Sequence, residues 1–61
     1  MNPPAGRIQI DDRVAVPGGR RGRVVSERLM VSNGAWLYTI ALEDGGSIEH
    51  YDFELKRIEA A

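Results

Sequence analysis

Val14 and Val16 alternate with Arg13 and Ala15, and the alternation stops at Pro17, which has no amide hydrogen to give to a ladder. A period of two marks a first strand over Arg13 to Val16. From Gly22 the chain is again rich in β-branched and apolar residues as far as Val31. It breaks at Ser32-Asn33-Gly34-Ala35 and then places Trp36, Tyr38, Ile40 and Leu42 at every second position. Asn-Gly between two such runs is a strong hairpin signal, because both central residues of a type I′ turn take positive φ. With Asn33-Gly34 as the loop, Val31 faces Trp36, Met30 faces Leu37, Leu29 faces Tyr38 and Glu27 faces Ile40. One face then gathers Leu29, Val31, Trp36, Tyr38, Ile40 and Leu42 as the core, and Met30 with Leu37 makes an apolar pair on the outer face. Glu27 falls on the core face in this register, which predicts a bulge between Gly22 and Glu27 that turns it outward and lets Val24 in.

The remaining elements are shorter. Glu43-Asp44-Gly45-Gly46 reads as a polar turn, Ser47 to Tyr51 as a fourth strand, Asp52-Phe53-Glu54 as a single 3₁₀ turn, and Leu55 to Ile58 as a last strand. Ahead of the first strand, Ile8 and Ile10 alternate with polar neighbours and can lie along the sheet as an extra edge. Nowhere does a 3.6-residue period appear. The pattern predicts an all-β fold: a five-stranded antiparallel barrel with one 3₁₀ turn before the last strand. Residues 1–7 form a flexible tail, 8–58 the barrel and 59–61 a second tail.

Composition narrows the picture. A 61-residue chain makes one domain with one thin core, and without cysteine neither a disulfide nor a thiolate-bound metal can staple it. Small unstapled domains gain stability by oligomerising, so a homo-oligomer is expected. With no long apolar run and no basic-then-apolar start, no membrane span or signal peptide is expected, and a reducing, cytoplasmic setting fits best.

Net charge is −1, but it is unevenly spread. Arg7, Arg13, Arg20, Arg21, Arg23 and Arg28 outweigh Asp11, Asp12 and Glu27 in residues 1–28, whereas residues 29–61 are acidic. Glycines beside Arg20, Arg21 and Arg23 in the loop after the first strand can build an anion cradle, and with Arg28 they form a candidate site for a nucleic-acid backbone. The loop is not a Walker phosphate loop, since a strand rather than a helix follows it. Gly19-Arg20-Arg21-Gly22 spells the GXXG of KH domains, whose loop joins two helices, so that match fails on context. The competing reading is a turn kept soluble by arginine.

His50 is the only histidine, and alternation puts it and Glu49 on opposite faces of one strand, so a catalytic dyad within one subunit is not expected. One histidine and no cysteine also speak against zinc. Trp36, Tyr38 and Tyr51 can stack bases or line a groove, or simply form core and rim.

Asp12, Val14, Val16, Gly19, Gly22 and Val24 resemble the KOW motif of transcription and ribosomal proteins. Tyr38, Ile40, Leu42, Asp44-Gly45 and Leu55 resemble a pattern common to Tudor-like and KOW-like modules. Residues 10–58 as a whole resemble an SH3-like small barrel, which implies a module that binds protein or nucleic acid. A narrower resemblance, to plasmid-encoded type II dihydrofolate reductases, rests on Asp12-Arg13-Val14, Gly22, Tyr38 and Gly46-Ser47 leading to Tyr51. It implies a homotetrameric, NADPH-dependent oxidoreductase whose ligand-facing motif falls on Ile48, Glu49, His50 and Tyr51. Here Glu49 stands for that family's glutamine, His50 for its isoleucine and Asp52 for the following proline, while the family's pore lysine falls near Val16. The reading adopted is a non-enzymatic SH3-like binding module without cofactor. It is a homo-oligomer that engages a protein partner or a nucleic-acid backbone and uses Met30, Trp36 and Leu37 as its contact surface.

Overall fold

The structure is a computed structural model and describes residues 6–61. Most of the tail expected over residues 1–7 therefore lies outside the described residues. Strands β1 (Arg13–Ala15), β2 (Arg21–Met30), β3 (Ala35–Leu42), β4 (Ser47–Tyr51) and β5 (Lys56–Glu59) form one antiparallel sheet in the order β4-β3-β2-β1-β5. A 3₁₀ turn over Asp52–Glu54 separates β4 from β5, and the described chain contains no α-helix.

One face of the sheet collects the core. Val14, Val24, Tyr38 and Ile40 are fully buried, with Val16 and Leu42 nearly so, and Trp36, Ile48 and Leu55 pack against them. Ile8 joins this core from the segment before β1, which is irregular rather than an added strand. Gly22 lies tight against β3: a Cβ there would clash with the Ala41 carbonyl oxygen and with Ile40 Cγ2. Only glycine lets the two backbones approach this far.

The hairpin departs from the expected register. Met30 pairs with Ala35, so the loop is the four residues Val31 to Gly34, and Leu29 faces Trp36, Arg28 faces Leu37 and Glu27 faces Tyr38. The slip is by two residues, which preserves the faces but moves every partner. Its cause is local. The Asn33 and Gly34 amides both donate to the Met30 carbonyl, at 3.2 and 2.7 Å, and the Asn33 side-chain oxygen accepts the Ala35 amide at 2.9 Å. Asn33 therefore acts through its side chain, and Gly34 alone takes positive φ (71°). Val31, expected in the core, sits in the loop at 91% exposure, and Leu29 is half-exposed at the rim.

The expected bulge lies between Val24 and Ser26 and throws Val25 outward while Val24 turns in. Glu27 is not turned outward. It stays opposite the buried Tyr38 and is neutralised by Arg7, whose Nη1 lies 2.8 Å from Glu27 Oε1.

Candidate binding surfaces

Carboxylates and carbonyls reach several of the arginines in and beside the first loop. Arg20 forks onto Asp44 with bonds of 3.1 and 3.0 Å, which holds the Asp44 carboxyl below its ordinary range. Arg23 donates to the Asp11 carbonyl at 2.7 Å, and Arg13 spans Glu43 and Glu59 at 2.8 and 3.3 Å. Among the described residues Arg21 and Arg28 have no ion pair, and Arg28 stands beyond the bulge, opposite Leu37. The four candidate arginines thus split into two that are engaged and two that are separated along β2.

Strand alternation divides the other candidate surface as well. Met30 and Leu37 lie on the outer face, as expected, but as diagonal neighbours rather than a facing pair. Leu37 instead faces Tyr51 across β3 and β4, and the Tyr51 ring stacks on Phe53 with centroids 5.3 Å apart. Phe53 is 75% exposed. Met30, Leu37, Tyr51 and Phe53 make an apolar strip that the linear pattern does not reveal, because Phe53 lies in the 3₁₀ turn. Trp36 belongs to the opposite face, partly buried against the core.

On that opposite face the segment before β1 packs on the sheet. The Arg7 guanidinium lies 4.0 Å from the centroid of the Trp36 ring, and its hydrogen bond to Glu27 raises its pKa and keeps it protonated. The Tyr38 hydroxyl donates to the Ile8 carbonyl, and burial pushes its pKa up. Arg57 donates to the Arg7 carbonyl at 2.6 Å and to Asp12 at 3.0 Å.

Asp12 is almost wholly buried and accepts the Gln9 amide at 2.9 Å and the Ala61 amide at 2.8 Å as well. Burial works to raise its pKa, but the two amides and the Arg57 charge outweigh that and hold it below the ordinary value. A cleft of about 610 Å³ runs beside this segment, walled by Arg7, Ile8, Trp36, Phe53, Leu55 and Arg57. Arg7, Asp12, Glu27 and Arg57 were not site candidates from the sequence, since nothing in their spacing links positions so far apart in the chain.

In β4, Ile48 and His50 face Ile40 and Tyr38, whereas Glu49 and Tyr51 face Thr39 and Leu37 on the outer side. His50 Nδ1 lies 3.1 Å from Glu54, whose carboxylate also accepts the Tyr51 amide at 2.8 Å. Those two bonds, the amide first, hold Glu54 below its ordinary pKa. Among the described residues no three histidine or carboxylate side chains converge as a metal set, and no helix is long and apolar enough to cross a membrane. No protein-family model, curated protein or solved structure matches this chain.

Proposed function

We propose that the chain is a small non-enzymatic binding module of SH3-like form that associates with copies of itself through the outer face of β2, β3 and β4. A single five-stranded sheet can cover its own core only by curling over it. The strand order, with β5 returning beside β1 after a 3₁₀ turn, supports a barrel of that kind.

The observation that carries the binding reading is the strip of Met30, Leu37, Tyr51 and Phe53. Its Tyr51–Phe53 pair is stacked, with Phe53 75% exposed, and it continues the apolar side chain of Leu37 across β3 and β4. Burying it against another copy at ~25 cal/mol per Å² offsets several kcal/mol of association cost. Protein rather than nucleic acid is the preferred partner, because Arg20 and Arg23 are already engaged. The oxidoreductase reading is disfavoured by the same geometry: His50 is occupied by Glu54, and Glu49 points to the other side of β4.

The test is the mass of the full chain by sedimentation at rising concentration. Association that Leu37→Glu abolishes supports the interface, and a monomer at every concentration overturns it. Turnover of dihydrofolate with NADPH above background would replace this reading with the enzymatic one.

A further inference from the structure

The segment before β1 is held the way a peptide ligand is held. Residues 6–9 join no strand, and none of their carbonyl groups pairs with a ladder. Side chains hold them instead: Arg57 and Tyr38 from the sheet take the Arg7 and Ile8 carbonyls, and Asp12, just before β1, takes the Gln9 amide. Two side chains of the segment fill formed sites. The Arg7 guanidinium lies between the Glu27 carboxylate and the Trp36 ring, and Ile8 is buried to 7% exposure in the core.

The connection to β1 is short and strained. The Asp12 amide closes a turn on the Gln9 carbonyl at 3.1 Å, and Asp11 within that turn has φ of 76°, a left-handed conformation that aspartate tolerates better than most residues but that still costs it more than it costs glycine. Asp11 is anchored on the far side by its amide bond to the Val24 carbonyl at 2.8 Å, so the turn and not the strand is the part free to open. A short hinge under strain, joining a separable segment to its own acceptor groove, is the arrangement from which copies exchange identical elements.

We infer that the groove of Glu27, Trp36, Tyr38 and Arg57 is a recognition site for an extended arginine–isoleucine segment, and that a second copy of the chain supplies Arg7 and Ile8 to it by opening the turn at residues 10–11. Charge complementarity between Arg7 and Glu27 and the fit of Ile8 to the core are the same in both arrangements, so the exchange costs no contact in the groove. Opening the turn gives up the Asp12–Gln9 bond and relieves Asp11. The inference does not rest on the outer-face interface: Met30, Leu37 and Tyr51 lie on the other side of the sheet, and only Phe53 also borders the cleft.

The test uses the full chain. Equal amounts of carbon-13-labelled and unlabelled protein are unfolded together, refolded and concentrated to the millimolar range. Isotope-filtered NOE spectra are then recorded for the Ile8 methyl groups. Contacts between Ile8 of one copy and the Tyr38 ring of the other are the expected result. Contacts confined to one copy overturn the inference, and a dimer with only such contacts leaves the outer-face reading standing.

Deleting Ile10 shortens the hinge so that the segment cannot return to its own groove, and the variant is expected to run only as a dimer. A folded monomer with Ile8 still packed on Tyr38 overturns the inference, and if the deletion does not fold, the spectra of the parent chain decide alone. Asp11→Gly removes the strain that favours opening, so the dimer dissociation constant should rise by about five-fold per hinge.

Discussion

Strand β1 has an arginine-bearing segment on each side, and the two are used differently. Ahead of it, residues 6–12 with Arg57 form a partly buried polar cluster around Asp12, in which each donor has a defined acceptor. After it, the loop over residues 16–20 and the start of β2 carry more arginines, yet those arginines reach exposed carboxylates or carry no ion pair. The loop stands out in the sequence because Arg20, Arg21 and Arg23 lie close together in the chain. Sequence density of charge says where cations are, while burial decides which of them matter to the fold.

Removing the acid at the centre of the first region should have the largest effect. Asp12→Ala strands the Arg57 guanidinium and two backbone amides, and a loss of about 3 kcal/mol by urea denaturation is expected. An unchanged midpoint would place the cluster's weight elsewhere. In the loop region the sensitive residue should be a glycine rather than an arginine. Gly22→Ala drives a Cβ into the Ala41 carbonyl and should cost about 2 kcal/mol. A variant as stable as the parent would mean that β2 and β3 are not pressed together there.

Acid should separate the regions further. The Asp12 pKa is lowered in the folded state, so its contribution is fully present above the unfolded carboxylate value and is lost as pH falls through the folded value. Melting temperature is expected to drop below about pH 4, the ordinary Asp range, and this drop should be smaller in Asp12→Asn. Equal acid sensitivity of the two proteins would assign the effect to other carboxylates.

The smallest effect belongs to the loop cations. Replacing Arg20, Arg21 and Arg23 together by alanine should leave the melting temperature unchanged. Any residual affinity for single-stranded DNA should disappear with the triple change and also fall steeply with salt. Binding that survives both would restore the loop as a nucleic-acid site. A large loss of stability would show that the Arg20–Asp44 fork supports the fold.

Strand spans, the 3₁₀ turn, the bulge that admits Val24 and the buried face of β3 were legible in the chain itself, because alternation and turn chemistry are local properties. The sequence also determined that Gly34 would take positive φ, since few other residues can. It did not determine the hairpin register, because Asn33 satisfies the Ala35 amide through its side chain and one left-handed residue then suffices. Still less could it show that Glu27 stays on the core face. That depended on Arg7 arriving from a segment twenty residues earlier. The same holds for Asp12, whose partners Gln9, Arg57 and Ala61 come from both ends of the described chain, and for Phe53, which joins Leu37 only through Tyr51. Pairings of this kind depend on which distant groups the folded sheet brings within bonding distance, and that is decided only by the tertiary structure.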